Sequence, residues 1–356
     1  MAVDKIKPFN DPRVQQRSAF LNGLTYGYLY SEPLPSVARR GTVLLVHGFP
    51  DLSFGWRYQI PFLTSLGLTV IAPDCVGYGR TDSPPHTLSD YGYKRAADDL
   101  ATLCEQLGLT QIILGGHDWG SAVACRMAQY YPKLVTALFI FSTPYFPPSS
   151  RFEPLANIIR NHMPHMTYQG QMTSGAVEDR VQSRAEIRMF LNAVFGTLDT
   201  ARADRPTGFD VHSGINLDMV LSGSVPANDL LSSDELDFYT AEFHRNGLTG
   251  PVNWYRTREV NWAHEYAYFF HNGDIGRPSS LRFGPEHEVL YVRATRDPAI
   301  TDAMVSRMLP KVEKLTHREI EAGHWVLWQM PAEVNRVLEQ WLEEKVFKEY
   351  HLSSKL

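Results

Sequence analysis

The chain has 356 residues, 44% of them hydrophobic and 21% charged, enough apolar side chain for one large domain or for a domain carrying a sizeable insertion. A formal net charge of -5 leaves no concentrated basic face for nucleic acid. No apolar run approaches the ~18 residues of a membrane span, Asp4, Lys5 and Lys7 stand where a secretory signal would be apolar, and the odd, unpaired spacing of Cys75, Cys104 and Cys125 favours free thiols over a disulfide framework.

In chain order, residues 18–22 and 25–30, on either side of Gly23-Leu24, read as an antiparallel hairpin at a sheet edge. Apolar runs at 42–46, 68–72, 111–114 and 135–141 then alternate with helical spacing, most clearly at 91–107 and 121–131. Continuous apolar strands alternating with amphipathic helices predict a mostly parallel sheet covered on both faces. Pro144-Tyr145-Phe146-Pro147-Pro148 breaks that rhythm. From about 150 to 275 the pattern is helical, without a convincing buried strand. Strand patterns return at 289–294 and 314–319, and a last helix is predicted from about His324 to Lys348. The expected organisation is a core over residues 1–145 and 281–356, interrupted by a helical insertion over 146–280.

The segment Gly116-His117-Asp118-Trp119-Gly120-Ser121 lies between a predicted strand and a predicted helix. That is the setting of a nucleophile elbow, with Asp118 in the nucleophile's place. Glycines on both sides suit a sharp turn around a strained central residue. Asp118 alone also reads as a helix N-cap. An Asp nucleophile narrows the chemistry: attack on a saturated carbon leaves an ester whose carbonyl belongs to the enzyme, and water attacking that carbonyl restores the carboxylate. Opening an epoxide or displacing a halide fits this; amide hydrolysis does not.

Four motifs together, His47-Gly48-Phe49-Pro50, Gly77-Tyr78-Gly79, the elbow and Ala322-Gly323-His324-Trp325, resemble the soluble epoxide hydrolase family of the α/β-hydrolase superfamily, over residues 15 to 347. The resemblance implies an α/β-hydrolase fold with an inserted helical cap. It also implies an oxyanion hole from the backbone N–H groups of Phe49 and Trp119, which would border the substrate as well. Gly77-Tyr78-Gly79 lacks the third glycine and the Lys-Ser/Thr of a nucleotide loop.

The chain order expected for this fold is nucleophile, acid, histidine. Among 13 histidines, His324 stands out at a strand-to-helix junction late in the chain. Asp297, after the run at 289–294, is the candidate acid that orients it, with Asp302 as the fallback. An epoxide differs from a halide in its leaving group: the ring oxygen must receive a proton, and a phenol with a pKa near 10 can supply it. Tyr168, followed by Gln169, and Tyr255, in Gly250-Pro251-Val252-Asn253-Trp254-Tyr255-Arg256, resemble the cap tyrosines of soluble epoxide hydrolases, and Gln169 is carried with Tyr168 as a substrate-side residue. After Tyr255 the chain departs from several relatives, reading Thr257-Arg258-Glu259-Val260-Asn261-Trp262 where those are Asn-rich.

The expected activity is conversion of a small apolar epoxide to a vicinal diol, without metal or organic cofactor. His162 and His165 flank Pro164 without further ligands at metal spacing. A haloalkane or haloacid dehalogenase is the alternative enzyme, and a non-catalytic receptor using the same pocket the alternative of another class. Ser354-Lys355-Leu356 matches the address read by the peroxisomal import receptor, which makes that receptor an expected partner and the peroxisome, otherwise the cytoplasm, the expected location. No nucleic acid or membrane partner is expected, and the chain is expected to be a monomer or homodimer.

Overall fold

A computed structural model of the protein describes residues 3–196, 208–271, 282–284 and 286–348, so Ser354, Lys355 and Leu356 lie outside the described residues. Eight strands form the main sheet: β1 (Gln15–Leu21), β2 (Leu24–Ser31), β3 (Gly41–Val46), β4 (Leu68–Pro73), β5 (Ile112–His117), β6 (Val135–Phe141), β9 (Glu288–Ala294) and β10 (Leu315–Ile320). Their order is β1-β2-β4-β3-β5-β6-β9-β10, antiparallel from β1 to β4 and parallel from β4 to β10. The central strands are apolar and, beyond Gly41-Thr42 at the start of β3, almost wholly buried, as a sheet covered on both faces requires.

Three expectations need correction. Leu21 pairs with Leu24, so the first turn is Asn22-Gly23, not Gly23-Leu24. Both turn residues have positive φ, 47° and 96°, which Asn and Gly tolerate and Leu does not. The last helix does not begin at His324. The chain forms α13 (Val326–Gln329), breaks at Met330 and restarts as α14 (Pro331–Trp341), because Pro331 forces Met330 out of the helical region. Within the insertion, Phe209–Asp210 (β7) pairs with Gly214–Ile215 (β8), a short ribbon that strand-length patterning does not reveal.

Helices α1 (Gln59–Ser65), α2 (Tyr93–Gln106) and α3 (Trp119–Tyr130) follow β3, precede β5 and follow β5; α12 (Asp302–Met308) lies between β9 and β10. The insertion between β6 and β9 carries α4 (Leu155–Asn161), α5 (Tyr168–Ser174), α6 (Ala176–Arg180), α7 (Arg184–Phe195), α8 (Leu217–Leu221), α9 (Ser233–Asn246), α10 (Thr249–Arg256) and α11 (Arg258–Phe269). This cap lies over the C-terminal ends of the parallel strands. Its later helices are bolted to the core. The Trp254 indole donates to the Val76 carbonyl at 3.0 Å, Asn261 accepts from the Tyr93 N–H at 2.8 Å, and a buried Arg126–Glu265 ion pair at 2.7 Å joins α3 to α11. Gly250 meets Gly77 backbone to backbone; a Cβ on Gly250 would stand 2.6 Å from the Gly77 Cα. No described helix is long and apolar enough to cross a membrane, and all three cysteines are free and buried.

Candidate active site

The strand order reverses between β3 and β5, since the chain leaves β3 towards β4 on one side and returns to β5 on the other. In an open parallel sheet, the loops leaving the strands on either side of such a point form a crevice. Here those loops are His47–Pro50 and the elbow around Asp118.

Asp118 has φ 55° and ψ -121°, a conformation L-residues rarely adopt. The flanking glycines allow it: a Cβ on Gly116 would overlap the Gly120 carbonyl, and one on Gly120 would overlap the Val46 carbonyl. Although Asp118 occupies the N-cap position of α3, its side chain makes no cap hydrogen bond. Its Oδ1 instead accepts the Phe49 N–H at 2.8 Å, and the Trp119 N–H also bonds the carboxylate. The β3 turn is held by His47, whose Nδ1–H donates to the Gly48 carbonyl at 2.9 Å while Nε2 accepts the Cys75 N–H at 2.9 Å. The Phe49-Pro50 peptide is cis.

His324 Nε2 lies 3.7 Å from Asp118 Oδ2, and its Nδ1 lies 2.8 Å from Asp297 Oδ2. Asp297 and His324 are both buried. Asp302 is elsewhere: exposed in the first turn of α12 and paired with Arg293. Burial works against protonation of His324, but the charge of Asp297, its hydrogen bond and the charge of Asp118 outweigh it, so the ring's pKa rises to about 9. Burial pushes the Asp118 carboxyl up, opposed by His324 and by the Phe49 and Trp119 N–H groups.

Tyr168 opens α5 and Tyr255 lies near the end of α10, their ring centroids 6.1 Å apart. Tyr255 is edge-on to Phe49 at 5.2 Å and to Trp119 at 5.1 Å, directly over the two residues whose N–H groups hold Asp118. Burial and the nearby Asp118 charge raise both phenols above the usual range, keeping them protonated. The Gln169 amide faces Met166 Sδ at 3.3 Å and the Tyr168 phenol. His162 pairs with Glu153, and His165 bonds the Ala299 carbonyl, so each is engaged away from Asp118.

Sequence reasoning passed over four residues. His117 Nε2 donates to the His324 carbonyl at 2.9 Å, pinning the histidine loop to the elbow; burial lowers its pKa to about 3, so the ring is neutral. Asp51, one residue beyond Pro50, is buried with Oδ1 accepting from Tyr239 at 2.6 Å and from the Leu52 N–H at 2.7 Å, while Oδ2 has no hydrogen-bond partner among the described residues. Burial pushes its pKa up to about 7. Arg256 links cap helices and is taken up below. His117 sits inside the elbow motif and Arg256 directly follows Tyr255, so adjacency was their available signal. Asp51 reads in sequence as a turn residue, and Tyr239 gives no signal.

The sequence profile of the alpha/beta hydrolase fold family matches residues 41–331. The chain is 38% identical to epoxide hydrolase srdG of Neurospora crassa over 97% of its own length and 99% of the relative's. It is 31% identical to bifunctional epoxide hydrolase 2 of Mus musculus over 91% of its length, spanning 56% of that longer protein. The crystal structure of epoxide hydrolase A from Mycobacterium thermoresistibile superposes with a TM-score of 0.75 at 27% identity, covering 93% of this chain and 98% of that one.

Proposed function

Because this chain belongs to the epoxide hydrolases of the α/β-hydrolase fold family, we propose that it converts a small apolar epoxide and water to a vicinal diol through an ester on Asp118. The observation that carries the reading is one convergence: a carboxylate pinned by the Phe49 N–H, facing a His324–Asp297 pair, beneath two protonated phenols.

Asp118 Oδ2, the oxygen towards His324, attacks a ring carbon. The carbon–oxygen bond of the epoxide breaks, and the departing oxygen takes a proton from Tyr168 or Tyr255. Phe49, Trp119 and the two tyrosines supply apolar ring surface to the substrate, with Gln169 at its margin. Esterification removes the Asp118 charge, one of the influences that hold the proton on His324. The ring then gives that proton to the tyrosinate left by ring opening, and only after the ester has formed does it stand neutral as a base. His324 then takes a proton from water, the hydroxide oxygen adds to the Asp118 carbonyl carbon, and the N–H groups of Phe49 and Trp119 stabilise the oxyanion. Collapse breaks the ester bond, the departing alkoxide takes the proton from His324 to complete the diol, and Asp118, now carrying one water oxygen, gives its own proton back to His324.

Single turnover in oxygen-18 water tests this, with excess enzyme and styrene oxide as probe. The first diol should carry unlabelled oxygen from Asp118, and the label should remain in the Asp118 peptide. Full labelling of the first diol would mean direct attack by water and would overturn the assignment.

A further inference from the structure

The two phenols stand on separate pieces of the cap. Tyr255 belongs to α10, which the Trp254–Val76 bond and the Gly77–Gly250 contact fix to the core. Its ring is also wedged edge-on against Phe49 and Trp119. Tyr168 is the first residue of α5, a seven-residue helix built into the other arm of the cap. The Tyr168 N–H reaches the Val211 carbonyl at 3.3 Å, its ring meets Phe209, and Gln171 exchanges hydrogen bonds with both backbone groups of Ile215. A helix this short does not hold its own position by propensity.

Arg256, next to Tyr255 in sequence, spans the gap. Its guanidinium donates to the carbonyls of Met172 at 3.4 Å and Thr173 at 3.3 Å, in the last turn of α5, and to Asn253 Oδ1 at 2.9 Å on its own helix. It also pairs with Glu178 of α6, and both charged side chains are largely buried. The last carbonyls of a helix lack intrahelical partners and carry its negative dipole end, so a cation forked onto them fixes both the helix end and its distance from α10. Only a planar guanidinium reaches two carbonyls, an amide oxygen and a carboxylate at once.

We propose that Arg256 is the positioning residue that sets Tyr168 against Tyr255, so that the epoxide oxygen meets two phenols. The inference rests on the reading of those tyrosines as acids. Without Arg256, Tyr255 stays in place through its own contacts with the core, while Tyr168 loses its alignment. The consequence is a specific non-additivity that general loosening of the cap does not produce.

The test is a mutant cycle read on ester formation and ester breakdown separately, by stopped-flow tryptophan fluorescence with styrene oxide. Arg256→Gln should slow ester formation about as much as Tyr168→Phe and leave breakdown within about twofold of wild type. Combining Arg256→Gln with Tyr168→Phe should be no slower than the slower single variant. Combining it with Tyr255→Phe should fall to the level of the double phenylalanine variant. Arg256→Lys should recover part of the loss, since it keeps the charge but not the fork. Multiplied losses in Arg256→Gln/Tyr168→Phe, or equal slowing of both steps, would overturn the proposal. If Tyr168→Phe itself reacts at full rate, the acid reading fails and the proposal fails with it, a result distinct from multiplied losses. Should Arg256→Gln lack a native melting transition, Glu178→Gln replaces it in the same cycle. That variant keeps the guanidinium and removes its counter-charge, so a smaller fall with the same non-additivity is expected, and multiplied losses there also overturn the proposal.

Discussion

On the core side of the site, position is set by main chain. Asp118 is held at φ 55° between glycines that admit no Cβ, and its carboxylate is met by the Phe49 N–H from a turn that His47 pins at both ring nitrogens. On the cap side, position is set by side chains. Tyr255 is lodged between the rings of Phe49 and Trp119, and Tyr168 rests on Phe209 and on the helix that Arg256 grips. Main-chain geometry of the first kind fails abruptly, because there is no smaller group to retreat to. Ring packing of the second kind survives exchange of Tyr for Phe and loses only the proton.

The largest break in that contrast lies on the core side. His324→Gln should still form the ester but not release it, so diol turnover should fall by about 10⁴-fold or more while the protein gains the mass of one substrate. Intact-protein mass spectrometry after exposure to styrene oxide reads this directly, and an inactive but unmodified protein would count against the base assignment. In the wild type, breakdown of the ester should reach its plateau at a pH below the value of about 9 that His324 has beside the charged Asp118. A breakdown rate still climbing through pH 9 would show that this charge matters little.

On the cap side, Tyr168→Phe and Tyr255→Phe should each slow ester formation by roughly 10–1000-fold, with little change in melting temperature, and the double variant should be nearly inactive. Near wild-type epoxide opening by a correctly folded double variant would remove the feature that separates this chemistry from halide displacement.

Gly250→Ala probes the seam between the two sides. The new methyl would press on the Gly77 backbone, so stability should drop by about 1–3 kcal/mol and ester formation should slow as Tyr255 shifts with α10. Thermal melting together with stopped-flow rates would check it; an unchanged melting temperature would mean that α10 moves freely over the core.

The smallest effect on the reaction itself concerns Asp51, whose substitution is read on stability. Its folded pKa of about 7 lies above the ordinary 3.8, so the folded state binds more protons than the unfolded chain between those values and loses stability as pH rises across that window. Asp51→Asn keeps an oxygen to accept from Tyr239 and Leu52 and removes the titration. Its melting temperature relative to wild type should therefore increase from pH 4 to 7 and level off above. A constant difference across that range would place the destabilisation elsewhere.

The same contrast decides what was legible in the sequence. The elbow, the His47–Pro50 turn and the Asp297 and His324 loops announce themselves because backbone constraint demands Gly, Pro and Asp at fixed spacing. The sheet was legible for a related reason: β3 to β6 are buried on both faces and read as unbroken apolar runs. The hairpin turn was misplaced by one residue because Gly23 serves either pairing until the register of Leu21 and Leu24 is known. Asp51 was not legible, because nothing near it in sequence shows that Tyr239, 188 positions later, closes over it. Arg256 was visible only as the neighbour of a candidate tyrosine, since two of its partners are main-chain carbonyls, which every residue has, and its counter-charge Glu178 lies 78 positions earlier.

The meeting of Gly77 with Gly250 has a consequence for how such a chain diversifies. Where backbone touches backbone, neither position accepts a larger residue without lifting α10, so drift there is closed off. The arm carrying α4 to α8 is not docked through that contact. Its surface can vary so long as Tyr168 and Glu178 are kept, Phe190 and Phe195 still meet the core rings, and Met172 and Thr173 still present carbonyls to the arginine. Substrate range can then change from one descendant to the next by rebuilding that arm, while the register between Tyr255 and Asp118 is inherited intact.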